Sequence, residues 1–267
     1  MNMKKRSLLV FTLLLSLSSI AQEAAEKKVQ AGIVLGSGIN FQKMMTKRME
    51  TNGVGTDLTV GANVLINLSE TIGFTTGLEF DFERLNYKAP SGSPVYYYFR
   101  DAEILSYKDR EENGTLFEVS ERNQKATYLT IPTMLSFRTN FFGYWRYFGK
   151  FGLRNSFLVS SKTTDDGYIP EIDQNMTNTD MVSKNDLFFL KSAVGVCAGA
   201  EWNFSGSTSL IAELGYYYGF TPLHTQKKTD VGDERNSLFT LDEDLKPLMF
   251  NNKANQNQIM LKVSILF

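Results

Sequence analysis

Residues able to do acid–base, nucleophilic or metal chemistry are few and scattered along this chain. His224 is the only histidine. Imidazole titrates near neutral pH, so His224 is the natural candidate for a general base, with Ser237, Asp230 or Asp233 near it in sequence. No spacing pattern ties it to any of them, and the expected reading is an exposed loop histidine. Asp165-Asp166-Gly167 and Asp242-Glu243-Asp244 carry carboxylate oxygens of the kind that hold divalent cations. Neither sets its ligands at the alternate positions of a calcium loop, so both read as solvated acidic loops. Cys197 sits between Val196 and Ala198, as a small buried side chain would. One cysteine leaves no intramolecular disulfide framework. No phosphate loop, zinc spacing or nucleophile elbow occurs. The expectation is a protein that is not an enzyme and has no cofactor or metal.

More telling are charges placed at alternate positions inside apolar segments. Glu79 and Asp81 interrupt Leu78, Phe80 and Phe82. Lys150 and Arg154 do the same among Phe151, Leu153 and Phe157. Lys191, Glu201, Glu213 and Lys262 repeat the pattern in three further segments. A strand turns successive side chains to opposite faces, so each segment has one apolar face and one that carries charge. Four acids (Glu79, Asp81, Glu201, Glu213) against four bases (Lys150, Arg154, Lys191, Lys262) suit a packed, nearly neutral interior.

Eight segments must position these residues: Gln30–Phe41, Thr56–Leu68, Thr71–Leu85, Lys125–Arg138, Tyr144–Ser160, Leu187–Phe204, Thr208–Phe220 and Asn257–Phe267. Most reach the roughly 9–11 residues of a tilted membrane crossing. Their connections alternate. Leu68-Ser69-Glu70-Thr71, Thr139–Gly143 and Ser205-Gly206-Ser207 are short; Gln42–Gly55, Asn86–Gln124, Ser161–Asp186 and Thr221–Gln256 are long. Short periplasmic turns and long extracellular loops characterise outer-membrane barrels. Aromatics make up 13% of the chain and gather near segment ends, notably Phe141 to Phe148 and Tyr216 to Phe220, as interfacial girdles do. The last segment is apolar at alternate positions and ends on Phe267, the form expected of a membrane-insertion signal.

The first residues read as a secretory signal: Lys4, Lys5 and Arg6, then apolar Leu8 to Leu17, then small residues ending at Ala21. The expected division is a signal peptide over residues 1–21 and a barrel domain over residues 22–267. Removing Lys4, Lys5 and Arg6 from 28 basic residues leaves 25 against 29 acidic ones, a net charge of −4. With no basic run, nucleic acid is not an expected partner. The fold class that follows is all-β: an eight-stranded antiparallel up-and-down transmembrane β-barrel in the cell outer membrane. An eight-stranded barrel is just wide enough to be filled by side chains.

Three motifs add a family resemblance. Tyr128-Leu129-Thr130-Ile131-Pro132, Glu213-Leu214-Gly215-Tyr216-Tyr217-Tyr218-Gly219 and the closing strand, in this order, resemble the PorT-like outer-membrane β-barrel proteins of Bacteroidetes. An arginine frequent in that group near the Gly215 position is lacking here. The resemblance implies a barrel with no defined activity, in a group whose namesake is associated with type IX secretion and gliding. The expected role is structural or interactive: extracellular loops presented as an accessory to secretion or adhesion. Expected partners are outer-membrane lipid, the barrel-insertion machinery and an envelope or secretion-system protein. The alternatives are an outer-rim enzyme acting on lipid or peptide, and a narrow small-solute pore.

Overall fold

The computed structural model describes residues 28–45, 48–110, 114–182, 187–205, 208–224, 237–244, 246–250 and 253–267. The expected signal, Asp230, Asp233 and Gly206-Ser207 of the short turn lie outside them. Eight strands form a closed ring: β1 (Val29–Met44), β2 (Gly55–Asn67), β3 (Ile72–Lys88), β4 (Thr115–Arg138), β5 (Trp145–Ile169), β6 (Leu190–Ser205), β7 (Thr208–Gly219) and β8 (Ala254–Leu266). Each pairs antiparallel with the next in sequence. The ring closes where β8 pairs with β1, from Gly32↔Leu266 to Met44↔Ala254.

Alternation decides which way each residue faces. Ile33 and Leu35 of β1, Leu78 and Phe80 of β3, and Leu261 and Val263 of β8 are exposed outward. Their neighbours Glu79, Asp81 and Lys262 are buried in the lumen. Such an apolar outside with a charged inside requires lipid around it. One ladder gap has a local cause. Pairing of β3 with β4 lapses between Thr76↔Thr133 and Glu79↔Thr130. Pro132 lies in the gap and has no N–H to donate.

The short turns are tight. At Leu68–Thr71 the Leu68 and Ser69 amides both donate to the Ile72 carbonyl, and Ser69 Oγ accepts from the Ile72 amide at 3.0 Å. Gly143 takes φ +64 in the β4–β5 turn, where glycine carries no steric cost. Beside it the paired Trp145 and Trp202 stack at 5.5 Å with planes 9° apart, the aromatic girdle of this rim.

At the other rim two of the long connections, 86–124 and 161–186, are largely strand among the described residues, contrary to the expected limits. β4 starts at Thr115 rather than Lys125, and β5 runs to Ile169 rather than Ser160. Val95–Arg100 adds to β4 and Gln174–Met181 to β5. Glu103–Leu105 and Phe239–Leu241 flank Val95–Arg100, and Pro247–Met249 pairs with Phe239–Leu241. This sheet makes a head on the long-connection rim. The two faces exchange polarity where it begins. Below, Phe80 and Phe82 face out while Asp81 and Glu83 face in; above, Arg84 and Lys88 face out while Leu85 and Tyr87 face in. The exchange marks where lipid gives way to water.

Candidate functional site

The lumen is built from inward residues of all eight strands, and Arg154 of β5 lies at its centre. Its Nη2 donates to Glu79 Oε2 at 2.9 Å and to Asp81 Oδ2 at 2.9 Å. Its guanidinium lies 4.9 Å from the Tyr217 ring centroid. Asp81 also accepts from Thr59 Oγ1 at 2.6 Å and lies 2.5 Å from Thr130 Oγ1. Lys262 Nζ donates to both Glu79 oxygens at 2.7 Å. One carboxylate, Glu79, thus joins β3, β5 and β8. Gly195 makes room for the Tyr217 ring, because a Cβ there would lie 2.2 Å from it.

All eight expected lumen charges point inward, and Lys150 donates to Glu213 Oε2 at 2.5 Å. Two of the eight pair with charges outside that set. Glu201 accepts from Arg146 Nε at 2.6 Å, and Lys191 pairs with Glu83. Gln256 and Gln258 also donate to Glu83, at 3.1 and 2.8 Å, and Gln258 reaches Asp57 at 3.1 Å. Among the described residues the lumen therefore carries six acids (Asp57, Glu79, Asp81, Glu83, Glu201, Glu213) and six bases (Arg138, Arg146, Lys150, Arg154, Lys191, Lys262). Strand parity alone places the four added to the expected set: Glu83 continues Glu79 and Asp81, Arg146 and Arg138 keep the even phase of Arg154 and Pro132, and Asp57 shares its face with Thr59. Near the short-turn rim a cavity of about 10 Å³ is lined by Asn63, Thr75, Ser136, Arg138, Lys150 and Glu201 among others, room for about one water.

Above Glu83 the interior turns apolar. Leu85, Tyr87, Val95, Tyr97, Phe117, Tyr128, Ile169, Leu187 and Leu223 belong to one buried cluster joining barrel mouth and head. His224 belongs here, which corrects the expectation of an exposed loop histidine. It is 4% exposed; its Nε2 lies 3.2 Å from the Tyr87 hydroxyl and the rings meet edge to face. Packing against Tyr87 and a bridge to Leu187 hold the start of the connection after β7 against this cluster. Ser237 is buried as well.

Asp165-Asp166-Gly167 is likewise not a solvated loop but part of β5. Asp165 is fully buried and accepts two bonds from Arg122, Nε at 2.8 Å and Nη2 at 2.9 Å. β4 and β5 set these two residues directly opposite each other. Asn178 donates to the Tyr97 hydroxyl at 3.1 Å. Burial, and then the neighbouring Asp165 charge, push that phenol far above its ordinary range. Asp166 is exposed and accepts from Thr177. Asp242-Glu243-Asp244 is exposed, and Asp242 Oδ1 accepts from the amides of Asp244 and Lys246, so it fixes a turn. Cys197 faces the lumen, 3.1 Å from the Tyr217 hydroxyl.

The head also presents an aromatic ledge. Tyr98 stacks on Phe239 at 5.6 Å, Tyr107 meets Phe239 edge-on at 5.2 Å, and Tyr96 lies 5.8 Å from it. Arg110 lies 3.8 Å above the Tyr107 ring.

A family model described as an outer membrane protein beta-barrel domain matches residues 20–225. No curated protein matches the chain. Similar solved structures include Ail, the attachment invasion locus protein of Yersinia pestis, in complex with the heparin analogue sucrose octasulfate. It is 12% identical with a TM-score of 0.35, covering 90% of this chain and 99% of that one. The N-terminal β-barrel domain of Pseudomonas aeruginosa OprF is 8% identical with a TM-score of 0.30, covering 89% and 99%. The outer membrane protease OmpT of Escherichia coli is 10% identical with a TM-score of 0.33, covering 90% and 96%.

Proposed function

The chain belongs to the outer membrane protein β-barrel family, and from that premise we propose that it is a closed, non-enzymatic interaction barrel whose extracellular head docks another envelope protein. The family and the lipid-facing belt put it in the outer membrane. The observation that carries the reading is the filled cross-section: charge pairs around Arg154 below and the Tyr87–Tyr128–Phe117 cluster above. With the interior occupied by its own side chains, the head is the surface left for function.

The ledge of Tyr96, Tyr98, Tyr107 and Arg110 supplies a docking face, since tyrosine and arginine are enriched among residues that dominate binding energy. The resemblance to the PorT-like group favours a secretion-system protein as the partner over an adhesion ligand. Against catalysis stands His224, whose Nε2 is taken up by Tyr87 in a buried position. A photo-crosslinker placed at Lys108, exposed beside the ledge, tests the proposal in intact cells. One discrete partner, lost on Tyr98→Ala/Tyr107→Ala substitution, is expected. Crosslinking only to lipid, or to many proteins equally, would refute it.

A further inference from the structure

The outer wall carries a feature that the closed-barrel reading does not use. Arg84 of β3 is paired directly with Lys125 of β4, and Lys125 with Lys162 of β5. All three are exposed, and adjacent strands lie about 4.8 Å apart, so three cations sit side by side within roughly 10 Å. Like charges directly opposite each other on neighbouring strands destabilise a sheet. None of the three has an ion pair or a side-chain hydrogen bond among the described residues. The charged row nearer the tip is built differently: Lys88, Glu121 and Asp166 are paired in register with mixed signs, and Lys88 also bridges Glu50 at 3.6 Å.

The cation row lies where the wall changes from apolar to polar. Below it, Phe80 and Phe82 of β3 and Phe157 of β5 are exposed toward lipid. Above it come Asn86, Asn123 and Thr164, also in register. A ligand that fits carries clustered negative charge at headgroup level and hydrocarbon below. We propose that Arg84, Lys125 and Lys162 form a binding site for a phosphorylated glycolipid of the outer leaflet, its phosphates on the three cations and its acyl chains along Phe80, Phe82 and Phe157. Arginine and lysine are both effective phosphate partners, and the bound anion relieves the repulsion that the register imposes.

The test uses the full-length mature barrel in detergent, probed with diphosphorylated lipid A by native mass spectrometry. The triple variant Arg84→Gln/Lys125→Gln/Lys162→Gln is expected to bind about a hundredfold more weakly, given the usual contribution of each basic residue at an anionic membrane surface. Dephosphorylated lipid A is expected to lose a similar factor on the wild type, and Lys88→Gln to lose none. A second variant, Lys125→Glu, supplies the anion from within the chain; it is expected to raise the melting temperature in lipid-free detergent while abolishing lipid A binding. Heat-modifiable gel migration checks that each variant is folded. Equal binding by wild type and triple variant would overturn the proposal. So would undiminished binding of dephosphorylated lipid A, which would reduce the contact to its acyl chains. Inositol hexakisphosphate binding as tightly as lipid A would overturn it too, by making the row a site for soluble polyanions.

Discussion

Arg154 and His224 were both visible as unusual residues in the sequence, and the structure gives them opposite weights. Arg154 is the hub of a desolvated network, and removing one member of a buried charge pair leaves the others uncompensated. Arg154→Ala is therefore expected to cost about 3–5 kcal/mol in urea unfolding of the barrel in lipid. Arg154→Met combined with Asp81→Asn, which removes one charge of each sign and leaves the Glu79–Lys262 pair in place, is expected to recover much of it. An unchanged midpoint for Arg154→Ala would show that the network does not support the fold. His224→Ala removes one buried contact with Tyr87 and is expected to cost about 0.5–1.5 kcal/mol, read as faster protease cleavage in the head with the membrane strands still protected. Its burial was not legible because the packing against it comes from Tyr87, on a strand remote in sequence. Asp165 reads as a loop residue for the same reason: its partner Arg122 lies on the opposing strand, within a stretch whose composition reads as loop.

The strands divide at the membrane surface. Below it, alternation was legible because lipid and lumen ask for opposite chemistry on the two faces. Above it the demand reverses: water lies outside and the apolar cluster inside, so the same strand continues with its polarity exchanged. That reversal at Arg84 and Leu85, together with register shifts at Val119/Glu121 and Thr127/Tyr128, makes a continuous strand look like the end of one. The lipid-facing assignment predicts that Leu261→Arg, which places charge on the outer face of β8, costs about 2–4 kcal/mol near the midplane. Lys262→Met, one residue along, is expected to act through Glu79 instead, and Glu79→Gln should partly suppress it. Equal suppression of Leu261→Arg by Glu79→Gln would contradict the facing of β8.

At the scale of the whole molecule, a lumen filled by charge pairs among the described residues predicts a barrel without an aqueous path. Purified protein in planar bilayers is expected to give no stepwise conductance. Discrete conductance steps from folded, heat-modifiable protein would show that the side chains of the lumen yield to ions. The strands and the inward charges follow from a local repeat of two residues, and the two rims from the alternation of short and long connections, so all are legible in the sequence. The head could not, since its core is assembled from four separate connections and none of them is apolar enough alone to announce it.

Closure has a consequence in time. Asp57 meets Gln258, and Asn63 meets Ser264, across 201 residues of chain; Glu79 meets Lys262 across 183. Contacts this distant in sequence form late, because the loop they close is almost the whole chain. Until β8 arrives, β1 presents an unpaired edge along its length, and edges of that kind recruit other strands. Assembly is therefore all or nothing: a chain halted short of its final strand has an open seam and a lumen missing one of its cations. Whatever handles this protein on its way into the membrane must shelter β1 from the start and release it only to β8.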